Sequence, residues 1–281
     1  MSRNRERMPA LDPLIGTVVA DRYVIEAALG AGMMGHVYRA RHQKIRRPVA
    51  IKLLHAHLCD DPVMLGRLRR EATLAGTLSH PNIVGVLDVG ELGDRHFIVM
   101  EYAEGRELTE LLGAPLPRAR ILHLMSGLFA GLDHAHGAGL IHRDFKPDNV
   151  IVTPADLPRI VDFGIALRGS SSDADDPSRL TSPGMVVGTP VYMAPEQARG
   201  GRLDARVDLF AAGVILYEML AGHEPFTGTP LQIAMQNMHD DPPPIGADPE
   251  LEALMRHLMA REPDERVQTA HEALARITSL R

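Results

Sequence analysis

The sequence predicts an α+β chain of two lobes: a small, mainly antiparallel β lobe over residues 21–102 with one key helix, and a larger, mainly helical lobe over 103–281. Three observations predict it. Between 22 and 102, short runs rich in β-branched and aromatic residues are separated by glycines and polar turns, as in strands joined by hairpins. One stretch among them follows a spacing near 3.6 residues instead. After Gly105 the periodicity turns helical.

Residues 1–20 are expected to be a flexible tail; the opening Met-Ser-Arg-Asn-Arg-Glu-Arg has no apolar stretch behind its charges, so it is not a secretory signal. Strands are expected at 23–25, 37–39, 49–53, 83–89 and 97–102. The interrupting helix is expected over 65–78. There Leu68, Glu71, Ala75 and Leu78 share one side, which turns Glu71 toward the apolar face; the competing reading pairs it with Arg67 at the surface. In the second lobe, helices are expected over 119–136, 203–221, 231–239 and 251–259, with Pro242, Pro243 and Pro244 as a stiff connector. Residues 168–184, dense in Ser, Asp, Gly and Pro, read as a mobile loop inside that lobe.

At 281 residues, 45% hydrophobic and 23% charged, the chain can bury two modest cores, which excludes wholesale disorder. A net charge of −6 supplies no basic field, so no nucleic-acid partner is expected; the clusters Arg3, Arg5, Arg7 and Arg39, Arg41, Lys44, Arg46, Arg47 read as solvated surface. The single Cys59 excludes an internal disulfide and fits a reducing compartment. On a continuing strand, His55, His57 and Cys59 would share a side, but no second pair of ligands accompanies them, so no zinc site is expected. The apolar run 209–220 is too short to cross a bilayer, and a soluble, cytoplasmic chain is expected.

Gly30, Gly32 and Gly35 follow a strand signal and precede Val37-Tyr38-Arg39-Ala40, which is again strand-like. A dinucleotide fold would open a helix there, and a Walker loop would need Gly-Lys-Ser/Thr. The remaining readings are an ordinary hairpin or a glycine strap whose amides approach phosphate oxygens, with Met33 and Met34 capping the tip against water. Lys52 ends an apolar run, where a bare ammonium would be costly; the anions on offer are a nucleotide phosphate and Glu71.

Six motifs then occur in fixed order: Gly-Ala-Gly-Met-Met-Gly-His-Val (30–37), Val-Ala-Ile-Lys (49–52), the helical Glu71, His-Arg-Asp-Phe-Lys-Pro-Asp-Asn (142–149), Asp-Phe-Gly (162–164) and Ala-Pro-Glu (194–196). Together they resemble the eukaryotic-like, or Hanks-type, protein kinases, over about residues 23–266, and imply the two-lobed protein kinase fold with a kinase domain of about 23–275. The resemblance implies that Asp144 accepts the proton of the incoming hydroxyl, Lys146 steadies the γ-phosphate, and Lys52 pairs with Glu71. It makes Asn149 and Asp162 the ligands of Mg2+, with Mn2+ as the alternative. It lays Leu29, Gly30, Ala31, Gly32, Met33, Met34, Gly35, His36 and Val37 over ATP. The adenine ring would lie between Ala50 and Ile151, behind it Met100, with backbone groups of Glu101 and Ala103 pairing to it.

Lys146 and Gly188-Thr189-Pro190 resemble the serine/threonine branch, and Pro-Val-Tyr-Met-Ala-Pro-Glu-Gln resembles bacterial members. Protein substrates with Ser/Thr acceptors follow, along with transfer to the chain's own activation loop, at Thr181 or Ser182, through a homodimer. Arg143 beside Asp144 would grip that phosphate. Bacterial members often carry a membrane span and sensor domains after the kinase; none is expected here. Glu196 would pair with Arg266, and Asp208 would cap the apolar helix and brace the catalytic loop. A kinase-like scaffold that binds ATP and partners with weak catalysis is the alternative, disfavoured by intact Lys52, Asp144, Asn149 and Asp162.

Overall fold

The computed structural model describes residues 12–32, 34–59, 62–163, 190–201 and 203–281, without the side chains at 57, 62–64, 67 and 68. Expectations that fall on Met33, Gly164, the loop 168–184, Thr181, Ser182 and Thr189, and on the side chains of Arg67 and Leu68, lie outside what is described. The chain forms two compact units, residues 1–76 with 85–102 and residues 77–84 with 103–281.

The first unit holds a six-stranded sheet: β1 (Val18–Val19), β2 (Tyr23–Gly32), β3 (Gly35–His42), β4 (Pro48–Leu54), β5 (Val86–Leu92) and β6 (Arg95–Glu101). The spatial order is β1-β2-β3-β4-β6-β5, every pairing antiparallel. Alternation assigns its faces. Val49, Ile51 and Leu53 of β4 join Tyr38, Ala40, Phe97 and Val99 in the core, where Val19, Tyr23 and Ile25 cover them. Ala50 and Lys52 therefore belong to the opposite face. Residues 12–19, expected to be loose tail, are part of this unit: β1 pairs with β2, Leu14 packs on the core and the Tyr38 hydroxyl donates to Asp12 at 3.0 Å.

The short helix α1 (Ala56–Cys59) follows β4, so the strand does not continue through His55 and Cys59 and the sequence alternation there does not apply. Among the described residues no three His, Cys, Asp or Glu side chains gather as a metal site. Helix α2 (Pro62–Ala75) carries Glu71 half-buried on the side of buried Ala75, whereas Arg69, Arg70 and Thr73 are exposed.

The strand expected over 83–89 splits in two. Ile83 makes an isolated parallel bridge to Ile160, and β5 begins at Val86. Asn82 explains the split, because its amide donates to the Pro158 carbonyl at 2.7 Å and its carbonyl accepts from Ile160 N at 2.8 Å, tying 77–84 into the second unit.

That unit contains a small sheet, β7 (Arg106–Glu107), β8 (Val150–Val152) and β9 (Pro158–Ile160), and helices α3 (Arg118–Gly137), α4 (Pro195–Ala198), α5 (Arg206–Ala221), α6 (Pro230–His239), α7 (Pro249–Leu258) and α8 (Ala270–Ser279). Helix α5 is buried on every side from Val207 to Leu220, in keeping with a composition that is apolar all round apart from Asp208, Tyr217 and Glu218. It stops at Gly222, whose φ of +75° suits the left-handed cap and whose N–H closes on the Glu218 carbonyl at 2.8 Å. No helix among the described residues is long and apolar enough to cross a membrane.

Candidate active site

In the first unit the hairpin β2–β3 brings Gly32 opposite Gly35. A Cβ on Gly35 would lie 2.0 Å from the Leu53 carbonyl oxygen, so this position accepts only glycine, while Gly30 and Gly32 stand in open space. Leu29, Ala31, Gly30 and Gly32 are exposed; Met34, His36 and Val37 are half-buried. Lys52 is buried in β4 between Val37 of β3 and Ile98 of β6, and Ala50 sits beside Met100. The register thus puts Val37, Ala50, Lys52 and Met100 on one face. Glu101 ends β6, its N–H on the Gly85 carbonyl at 2.9 Å and its carboxylate on Arg47 at 2.7 Å.

In the second unit, residues 141–149 form an irregular loop that ends in a 3₁₀ turn, Pro147–Asn149. Asp144 is part-exposed, and the Lys146 ammonium lies 3.0 Å from its Oδ2. The Asn149 amide donates from Nδ2 to the Asp144 carbonyl at 2.7 Å, which leaves Oδ1 as the far end of that side chain. Asp162 follows β9 with φ of +62°, and Arg143 has φ of +65°. Two non-glycine residues thus sit in the left-handed region, one inside the loop and one just past β9, strain that surrounding bonds must hold. Ile151 is the half-exposed member of β8 between buried Val150 and Val152; Ala103 is half-buried.

Those holding bonds converge from α5 and β9. Asp208 Oδ2 accepts from His142 N and Oδ1 from Arg143 N, both at 2.8 Å, and His136 Nε2 reaches Oδ2 at 2.8 Å. Burial alone would raise the Asp208 pKa, but the His136 hydrogen bond and charge, with the His142 contacts, bring it below the ordinary carboxylate value. Buried His142 must donate from Nε2 to the Val161 carbonyl at 2.9 Å, because a carbonyl only accepts; its ring stacks at an angle on Phe163 and Phe145. Phe145 is buried and keeps the loop anchored.

Asp208 does not cap its own helix. The N-cap is Ala205, and Asp208 lies within the first turn with both oxygens turned to the 142–143 amides. Glu196 and Arg266 form a bidentate buried pair, with both N–O distances 2.6 Å, and Arg266 further donates to the carbonyls of Ala260, Arg206 and Arg261.

Three contributors had no sequence assignment. The Gln197 amide accepts from Ala194 N and donates to the Arg143 carbonyl, both at 2.9 Å, joining α4 to the catalytic-motif loop. Glu218, buried near the C-terminal end of α5, takes a hydrogen bond from the Tyr192 hydroxyl, and burial pushes its pKa up to about 7. The same burial raises Tyr192. A glutamate inside an apolar helix was the available signal for that pair. Asn237 of α6 grips residues 190–193, and nothing in the sequence marks it.

A family model for the protein kinase domain matches residues 23–276. Serine/threonine-protein kinase pkn3 of Myxococcus xanthus is 40% identical over 279 residues, 94% of this chain and 51% of that protein. Serine/threonine-protein kinase PknB of Mycolicibacterium smegmatis is 39% identical over 269 residues, 92% of this chain and 42% of that protein. The chain therefore spans about half or less of the length of these relatives. The crystal structure of the Mycobacterium tuberculosis PknI kinase domain superposes with a TM-score of 0.72 at 27% identity, covering 95% of this chain and 99% of that one.

Proposed function

Because the chain belongs to the protein kinase domain family, we propose that it transfers the γ-phosphoryl group of ATP to serine or threonine hydroxyls of proteins. The observation that carries this is the part-exposed Asp144 carboxylate, paired with the Lys146 ammonium at 3.0 Å, on a backbone held by Asn149 at the Asp144 carbonyl, by His142 Nδ1 at the Asp144 N–H and by Asp208 at the preceding Arg143 N–H. The serine/threonine acceptor class rests on the named relatives and on Lys146.

In this reading Asp144 orients the acceptor hydroxyl and takes its proton, and Lys146 holds negative charge on the transferred group. Lys52, kept in place by Glu71, meets the other phosphates, under a strap of backbone amides at Gly30 to Gly35. The resemblance would assign Ala50, Ile151 and Met100, with backbone groups of Glu101 and Ala103, to the adenine. Asn149 Oδ1 and the Asp162 carboxylate would hold Mg2+, or Mn2+ in its stead. Two hard oxygen donors suit a cation that keeps waters and substrate phosphates as its other ligands. When bound, that ion supplies neutralising charge between the phosphates.

The experiment is transfer from labelled ATP with magnesium to casein, followed by identification of the modified amino acids. Label on serine and threonine alone is expected. Label on tyrosine alone, or nucleotide binding with no transfer, would overturn the assignment, the second outcome in favour of a scaffold. Autophosphorylation at Thr181 or Ser182, gripped by Arg143, belongs to the same proposal and predicts that the double alanine variant loses activity.

A further inference from the structure

We infer that Asn237 is a positioning residue for the acceptor peptide, clasping residues 190–193 as a shelf beside the catalytic loop; this deepens, and rests on, the kinase reading. Helix α6 is set by a capping box, in which Thr229 N–H donates to Gln232 Oε1 at 2.8 Å and Thr229 Oγ1 accepts from Gln232 N at 3.4 Å, with Pro230 in the first turn. Ile233, Ala234 and Asn237 then form its buried side, while Leu231 and Met235 face outward. A polar side chain on that side must find partners. Asn237 is only 3% exposed, and its Nδ2 points at the carbonyls of Pro190 at 2.9 Å, Val191 at 3.0 Å and Met193 at 3.0 Å. The orientation is unambiguous, since a flipped amide would set its oxygen against carbonyl oxygens that cannot donate.

The consequence lies at the other end of the segment. Pro190, Val191, Tyr192 and Ala194 are buried, and Met193 alone in the run is half-exposed. Directly after it, Gln197 ties Ala194 N and the Arg143 carbonyl together, and Arg143 precedes Asp144. Two side-chain amides, one on α6 and one on α4, thus fix the 3₁₀ turn Pro190–Tyr192 and the residues that follow it, and the second ties this stretch to Arg143, the residue before the proposed base. Carbonyls so held cannot rotate when a peptide docks, so the acceptor hydroxyl is offered to Asp144 at a fixed height, with its positioning entropy already reduced.

The test compares wild type with Asn237→Ala, Asn237→Asp and Asn237→Ser, using casein as acceptor and measuring KM separately for casein and ATP. With Asn237→Ala the casein KM should rise about tenfold while the ATP KM stays within about twofold, as expected for loss of net hydrogen bonds to the shelf. Asn237→Asp keeps the volume but faces three carbonyls with an acceptor, and should raise the casein KM further. A role in packing alone would make alanine the worse of the two, and that ordering overturns the inference. Should the alanine variant fail to fold, Asn237→Ser, which keeps an O–H donor in a small side chain, carries the comparison with aspartate.

Amide hydrogen exchange over 190–194 in nucleotide-free protein tests the clasp without any turnover. Faster exchange in Asn237→Ala is expected, and unchanged exchange overturns the clasp even if the wild type proved inactive. Faster exchange with an unchanged casein KM, or equal rises in both KM values, would overturn the positioning role. A wild type that transfers nothing from ATP counts against the kinase reading instead.

Discussion

The two ends of helix α5 each bury a carboxylate, Asp208 near the start and Glu218 near the end, and the protein treats them in opposite ways. Asp208 meets three donors, the amides of His142 and Arg143 and the His136 ring, which stabilise its charge until its pKa falls below the ordinary value. Glu218 meets a single neutral hydroxyl from Tyr192, too little to offset burial and the nearby charges of Glu224 and Asp148, and its pKa is pushed up to about 7. Burial is common to both ends; the donors and the charges of the neighbouring groups decide the sign. The anionic end braces the loop that carries Asp144, and the protonatable end lies under the segment gripped by Asn237.

The comparison breaks most severely at Asp208. Asp208→Ala strands two backbone N–H groups and an imidazole without an acceptor, and should cost about 4 kcal/mol of unfolding free energy, with about a hundredfold loss of transfer as the strained Arg143 relaxes. Urea denaturation and initial rates measure both. A loss under about 1 kcal/mol would remove the bracing role.

Glu218→Gln sharpens the other end. The folded state holds a proton on Glu218 that the unfolded chain, with its carboxyl near 4.5, has already released. That contribution is therefore complete at low pH and is lost as pH rises through about 7. The glutamine variant should be more stable than wild type by about 2 kcal/mol at about pH 8.5 and equal to it at about pH 4. Asp208 has the reverse dependence. Its stabilisation is present above the unfolded carboxylate value of 3.8 and lost as pH falls through the lower folded value. A Glu218→Gln gain that is flat with pH would show that the two ends do not differ in charge.

Tyr192→Phe has the smallest expected effect. It removes the hydroxyl donor from Glu218 and should cost about 1 kcal/mol at about pH 8.5, and less at low pH, where the protonated carboxyl needs no donor. Thermal unfolding at the two pH values reads the difference.

Much of this was legible in the sequence because it is local. The glycine strap, Lys52 at the end of an apolar run and Asp144 in its loop follow from residue type and immediate neighbours, and the β4 alternation puts Val37, Ala50, Lys52 and Met100 on one face. Glu71 reads inward from helical spacing and is half-buried in α2. What was not legible depends on distant partners. Asp208 looked like a cap because acidic residues favour helix starts, yet its acceptors serve amides 65 and 66 residues earlier in the chain. The run at 83–89 looked continuous until Asn82 claimed its first residues for Ile160. Strands β7, β8 and β9, two or three residues each, are too short for periodicity to reveal. Residues 12–19 looked loose because their partners, Tyr38 and β2, lie beyond a local window.

Single-turnover transfer by Asp144→Asn, with ATP affinity measured in parallel, tests the central assignment most directly. The amide keeps the shape and removes the base. Affinity for ATP within about threefold of wild type with transfer slower by about a thousandfold is the predicted result. Transfer at the wild-type rate would contradict the account.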